Sequence, residues 1–427
     1  MPYFKAQKGG KGTYKLYGYH VDNSDSDPSS AISYEVIYDG RRVDNYYFSP
    51  AYMDFANDVF VNGTWNLIDD FFIPRPCMLK YNCEVDYYLD PDDVTKREDG
   101  ITASDVANTS YGGNAMLEWG RNDRKIWYAL IPDESDPTSY TVLISDIQYD
   151  SNFHCWSFYD ANDKQIDHFY TPIYEGSAIN GVLRSISGQT PMNTNSGTTE
   201  ISYAKANNTA GNNKGVEWYI NVFADRLLIN FLLVLISKSL DSQGKFGNGN
   251  YTGGSSASSL LTTGLGNAKG MFYGTTANGV VKVFGMENFW ADRWERTAGL
   301  ILSSGVMKYK LTYGTADGST QQGYQENDSA PTGYLTGNTI ATNLSNSKIV
   351  KQIAKSDGSL LPSVFAGSET TYYCDNIWSS TGVRYSRFGG GCGLGLACGA
   401  FTLVLNSALS YSYWTSGASL SCKPLAQ

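Results

Sequence analysis

Seven cysteines (77, 83, 155, 374, 392, 398, 422) and three histidines (20, 154, 168) are the residues best equipped for nucleophilic, redox or metal chemistry. Their spacing suits none of these well. Cys77-x5-Cys83 is not a usual zinc spacing, and no histidine stands near it. Cys392 and Cys398 could form a redox or metal pair, or be two small half-buried side chains on a glycine-rich strand, and the second reading is favoured. An odd cysteine count in a chain with no visible signal peptide favours free thiols. His154 and His168 read as strand or loop residues more readily than as general bases. Glu287, Asp292 and Glu295, interleaved with Trp290 and Trp294, could line a sugar cleft with paired carboxylates. A run so dense in aromatic residues more often packs a core. Asp90-Pro91-Asp92-Asp93 lacks the alternation and glycine of an EF-hand loop and reads as a solvated turn. G-x-S-x-G, P-loop and H-E-x-x-H motifs are missing from the sequence. GGGCGLG fails the dinucleotide pattern, since counting six from Gly391 gives Leu396 and from Gly393 gives Cys398.

The elements that would position such residues follow from composition. The 427 residues are 41% hydrophobic and 17% charged, a globular balance long enough for two or three domains. Forty-four glycines and 32 tyrosines suggest many short strands and long loops. A net charge of −10 argues against nucleic-acid or anionic-membrane partners. MPYFKAQKGGKG has no apolar signal core, so synthesis in a cytoplasm and release by lysis are expected. LLINFLLVLIS (Leu227–Ser237) is too short to cross a bilayer and reads as buried helix, so no membrane insertion is expected.

Alternating runs such as YKLYGYHV, AMLEWG and KIWYALI place β-rich modules over residues 1–140. From 141, SYTVLISDI and HCWSFYD read as strands and 187–215 as a polar loop. VEWYINVFADRLLINFLLVLISKSL reads as one helix over Val216–Leu240. Residues 314–346 read as a second polar loop. The segment from Gly391 to Ser419 contains no Asp, Glu, Lys, Arg or His.

IDHFYTPIYEGS, LRSISGQTP and VFGMENFWADRWERTAGLIL, followed by Arg387-Phe388-Gly389-Gly390, resemble the signposts of the C-type lectin fold of formylglycine-generating enzymes and their non-catalytic relatives. Within that group the C-terminus is similar to the variable proteins of diversity-generating retroelements, whose best-known members are phage tropism determinants at tail-fibre tips. The matching framework is Gly389, Gly390, Gly395, Gly399, Phe401, Leu403, Leu405, Ala408, Ser410, Ser412, Trp414, Gly417 and Ala418. The resemblance implies an α+β chain, with a C-type lectin fold ligand-binding domain over 141–427 behind β-rich virion-attachment modules over 1–140.

It also implies that a hypervariable segment of about 387–422 presents its interleaved positions to a receptor. These are Gly391, Cys392, Gly393, Leu394, Leu396, Ala397, Thr402, Val404, Asn406, Tyr411, Tyr413, Thr415 and Ser419. All of these residue types are reachable by adenine mutagenesis of an AAC codon. In FTLVLN, two-residue periodicity puts Phe401, Leu403 and Leu405 on one face and leaves Thr402, Val404 and Asn406 free on the other. The expected function is host adsorption by a phage receptor-binding protein, without turnover, metal or cofactor. The partners would be a bacterial surface protein or neutral glycan receptor and other virion proteins, with a homotrimer as the usual assembly. A cell-surface or lysogen-encoded binder of the same fold is the alternative. A formylglycine-generating-type oxidase is the remoter one, because its copper-binding cysteine pair has a different spacing from Cys392 and Cys398.

Overall fold

The computed structural model describes residues 14–67, 71–121, 124–136, 139–211, 215–303, 305–313, 325–326, 344–356, 359–365 and 367–426. Strand accounts for 32% of the structure and helix for 12%. The expected α+β architecture with a C-type lectin domain is thereby corrected to a β-rich fold. The physical reason lies in the composition: Tyr, Val and Thr with abundant Gly favour short extended segments, whereas Leu, Lys and Glu are too sparse to build many helices.

Among the described residues there are three α-helices: α1 (Gly197–Ala210), α2 (Phe223–Ser237) and α3 (Ser242–Phe246). The expected helix over 216–240 starts late, because Val216–Ile220 is a strand that pairs with Leu420–Pro424. VEWYI is β-branched and aromatic, so it suits a sheet once a partner strand is present. The expected loop over 187–215 contains α1, whose N-cap Ser196 accepts a hydrogen bond from the Thr199 N–H at 3.2 Å. HCWSFYD forms turns, not a strand. Most of the expected loop over 314–346 lies outside the described residues.

Three sheets organise the chain. A four-stranded sheet runs in the order Trp127–Pro132, Tyr140–Ser145, Leu16–Val21, Ile32–Ser33. A six-stranded sheet runs Val216–Ile220, Leu420–Pro424, Phe169–Pro172, Gly113–Trp119, Arg75–Lys80, Val85–Tyr88. Both draw strands from each side of residue 140. The third has nine strands; its middle is Trp294–Ser303, Arg384–Phe388, Leu403–Ser407 and Asn376–Ser379 in that spatial order.

Every residue of α2 is buried. Its apolar side chains join the largest core cluster with Trp119, Phe284, Trp290, Leu403 and Leu405. The helix also carries four buried polar residues, each of which has a partner; Ser237 Oγ donates to the Leu233 carbonyl at 2.7 Å. Asp225 pairs with Lys423 Nζ at 2.7 Å, and the Arg226 guanidinium lies 3.8 Å from the Phe289 ring centroid. Asn230 Nδ2 donates to the Ala400 carbonyl at 2.9 Å. The helix therefore holds the C-terminal part of the chain at the Ala400 carbonyl and at the Lys423 side chain.

Candidate binding face

Within the segment from 387 to 419, one strand lies between two others of the large sheet and the chain then turns back to a third. Leu403–Ser407 pairs antiparallel with Arg384–Phe388 and parallel with Asn376–Ser379. Ser416–Gly417 returns parallel to Trp294–Ser303. What holds the intervening turn is a set of buried arginines, each drawn to its own group of side-chain oxygens or main-chain carbonyls.

Arg296 is fully buried; its Nε donates to Glu200 Oε2 on α1 and its Nη2 to the Tyr411 carbonyl at 3.2 Å. Burial holds the Glu200 carboxyl above its ordinary range even with Arg296 beside it. Arg293 donates to the carbonyls of Gly176 at 3.1 Å and Ala418 at 3.3 Å, and to Glu295 Oε2 at 3.0 Å. Arg387 donates to Asn406 Oδ1 at 3.1 Å and to the hydroxyls of Ser407, at 2.7 Å, and Ser416. Its guanidinium lies 4.8 Å from the Tyr411 ring centroid and 5.8 Å from that of Trp294. Burial, with the like charge of Arg296, pulls Arg387 down to about 10.

Main-chain bonds complete the support. The Leu409 carbonyl accepts from the Gly197 N–H at 2.8 Å, and the Tyr413 carbonyl accepts from the Thr194 N–H at 3.0 Å. The Thr415 carbonyl accepts from the Trp294 N–H at 2.7 Å. These contacts fix the path of the chain without using the side chains of Tyr411 and Tyr413. The two rings stand outward, 37% and 48% exposed, with centroids 6.1 Å apart. Trp414 follows at 5.9 Å from Tyr413. Ser410, Ser412 and Asn406 are also exposed. Below them Trp294 meets Trp378 edge-on at 5.5 Å, and both are half-buried.

The preceding loop reaches the same place. A Cβ added at Gly391 would stand 3.0 Å from Trp294 Cδ1 and 3.3 Å from Thr415 Cβ. Framework glycines explain themselves here. Gly390 has φ +81° and no room for a Cβ beside Cys398 Sγ, while a Cβ at Gly417 would lie 2.2 Å from the Met192 carbonyl oxygen.

The sequence-predicted positions divide into two groups. Gly393, Leu396, Asn406, Tyr411 and Tyr413 are exposed, and Leu394 is half-buried. Gly391, Cys392, Ala397, Thr402, Val404, Thr415 and Ser419 are buried. The free face expected along FTLVLN is therefore limited to Asn406: Thr402 and Val404 are 0% and 2% exposed. A strand in the interior of a covered sheet has no solvent face for its alternation to mark. Thr402 serves locally, its hydroxyl donating to the Ala397 carbonyl and accepting from the Gly399 N–H, both at 2.8 Å. Ser419 Oγ accepts from the Gly176 N–H at 2.9 Å.

Residues weighed for chemistry are engaged otherwise. Glu287 accepts from the N–H groups of Gly264 and Gly266, both at 2.7 Å. Asp292 accepts from the Leu261 N–H at 3.1 Å and from Asn250 Nδ2, and Glu295 accepts from the Ser419 N–H. All three carboxylates are buried, as is Trp290. Burial and the charge of Asp292 push the Cys392 thiol up to about 11, and burial drives Cys398 well above its ordinary value. The His154 ring stacks on Trp156 at 4.6 Å. Among the described residues no three His, Cys, Asp or Glu side chains are grouped to hold a metal ion, and no helix is long and apolar enough to cross a membrane.

Sequence reasoning missed Trp378 and the Glu200–Arg296 pair. Neither has a local signal, since each partner comes from a segment far away in the chain. The chain matches no family model and no curated protein.

Proposed function

We propose that this chain is a receptor-binding protein of the kind carried by phages whose variable proteins are diversified by retroelements. It adheres to a bacterial surface through the Tyr411–Tyr413 face, by contact and without turnover. The carrying observation is the separation of support from display. Buried arginines and main-chain bonds hold the turn, while the outward tyrosines add to that support only through the ring contact of Tyr411 with Arg387. Such a turn tolerates exchange of its exposed residues, because the fold is maintained by others. Tyrosine on a rigid support gives large contact area at small entropic cost.

With no charged residue in the displayed segment, the natural ligand is a protein surface or a neutral glycan. One face of this size binds weakly, and presentation in several copies, as in a homotrimeric virion fibre, multiplies its avidity.

The reading is tested by applying labelled chain to a panel of bacterial strains. Wild type binds a subset, and Tyr411→Ser/Tyr413→Ser loses at least about 30-fold in affinity, the loss of a small hot spot. Equal binding by the double variant would refute the assignment of this face. The coding sequence offers a second check: codons for Gly393, Leu394, Leu396, Asn406, Tyr411 and Tyr413 should all end in C, with a near-copy of the segment close to a reverse transcriptase gene.

A further inference from the structure

All seven cysteines are unpaired, yet two of them touch: Cys83 Sγ and Cys422 Sγ lie 3.3 Å apart. Cys422 is buried in the strand Leu420–Pro424, between Val216–Ile220 and Phe169–Pro172. Cys83 is half-buried at the tip of the hairpin joining Arg75–Lys80 to Val85–Tyr88. That tip leans over the same strands, since Trp218 Nε1 donates to the Tyr81 carbonyl at 2.8 Å.

The backbone at Cys83 is a second, independent observation. Its φ is +66°, in the left-handed region that favours glycine or asparagine at such a turn. The Cys83 N–H closes the turn onto the Lys80 carbonyl at 2.9 Å. A glycine would make that turn more easily. The cysteine supplies a side chain aimed at Cys422 that glycine lacks.

We infer that Cys83 and Cys422 form a disulfide when the chain meets a low-molecular-weight disulfide, a cross-link that pins Leu420–Pro424 to the hairpin tip. Closing from 3.3 Å to a bond of about 2.05 Å asks for roughly 1.2 Å of approach, within the compass of an exposed turn. The half-exposed Cys83 is the entry point. Burial raises the Cys422 and Cys77 thiols well above their ordinary values, which makes both poor first nucleophiles.

The Cys83 thiolate attacks one sulfur of the small disulfide, breaking its S–S bond and expelling one small thiolate. Cys422, losing its proton to solvent, then attacks Cys83 Sγ and expels the second. Two protein thiols are oxidised and one small disulfide is reduced to two thiols. The inference does not rest on the receptor-binding reading.

The experiment uses the full chain, purified reduced and then equilibrated with oxidised glutathione as the probe. Free thiols are alkylated and the digest is mapped by mass spectrometry without reduction. A peptide joining Cys83 to Cys422, lighter by two hydrogens, is expected. The span closed is 339 residues, so the oxidised chain should melt about 3–6 °C higher. A thiol reductant should reverse that rise, and Cys83→Ser should abolish it. Alkylation of both cysteines after oxidation, a Cys77–Cys83 link, or a glutathione adduct left standing on Cys83 would each overturn the inference.

Discussion

Two substitutions within the same segment should act in opposite ways, and their contrast tests the separation of support from display. Thr402→Val keeps the side-chain shape but removes a hydroxyl that donates to the Ala397 carbonyl and accepts from the Gly399 N–H, both at 2.8 Å. The site is fully buried, so water does not replace either bond. An unpaired buried polar group costs about 1–3 kcal/mol, which puts the total for two such groups at about 2–6 kcal/mol. Unfolding entropy of about 2.1 cal/mol/K per residue amounts to roughly 0.9 kcal/mol/K for 427 residues, so Tm should fall by about 2–7 °C. Tyr413→Ser removes a ring that is 48% exposed, and its cost should stay within about 0.5 kcal/mol, under 1 °C. In adsorption to a sensitive strain the order reverses: Thr402→Val binds as wild type well below its Tm, and Tyr413→Ser binds weakly. Differential scanning calorimetry with cell-binding titration reads both. Equal Tm shifts, or a binding loss confined to Thr402→Val, would refute the reasoning.

Arg296→Met should cost about 3–5 kcal/mol, because it strands Glu200 as a buried, unpaired charge. Adding Glu200→Leu to that variant should recover most of the loss in denaturant unfolding, and no recovery would mean the pair does not govern the cost. Asp375 is fully buried beneath the Phe401 N–H, and burial, then the charge of Asp241, raises its carboxyl well above the usual range. A raised carboxyl contributes stability below its unfolded value, near pH 3.8, and that contribution is lost as pH climbs through the folded value. Asp375→Asn should therefore gain on wild type in Tm as pH rises from about 5 to 8, and a constant difference across that range would contradict the assignment.

How much of this was legible depended on where each element finds its partner. Leu16–Val21, Gly113–Trp119 and Tyr140–Ser145 announce themselves through aromatic and β-branched runs bounded by turns. The helix α1 does not, because its inward side mixes Ile201 and Ala204 with polar residues: Glu200 meets Arg296, Asn207 meets Asn114, and Asn208 bonds both the N–H and the carbonyl of Trp218. No apolar stripe marks such a helix. The start of α2 was obscured by VEWYI, whose strand character needs Leu420–Pro424, made about two hundred residues later. At the face, the framework glycines were readable because close backbone approach leaves no other choice. Which interleaved residues face out was not, since periodicity in Leu403–Ser407 says nothing once strands flank it on both sides. The arginine supports were the least visible, because their partners, from Glu200 to Ser416 and the carbonyls of Gly176, Tyr411 and Ala418, lie far from them in the sequence.

The place of Leu420–Pro424 inside the six-stranded sheet also governs timing. Lys423 bonds the Ser157 carbonyl across 266 residues, and Cys422 pairs with Tyr170. At ribosomal speeds of about 5–20 residues per second, Phe169–Pro172 waits on the order of 10–50 s for the strand that will cover its edge. During that interval the edge of Phe169–Pro172 that Leu420–Pro424 will pair with stands open. A chain ending before 420 would leave Val216–Ile220 and Phe169–Pro172 without the strand that joins them, so closure of the six-stranded sheet waits until the whole 387–419 segment has been made.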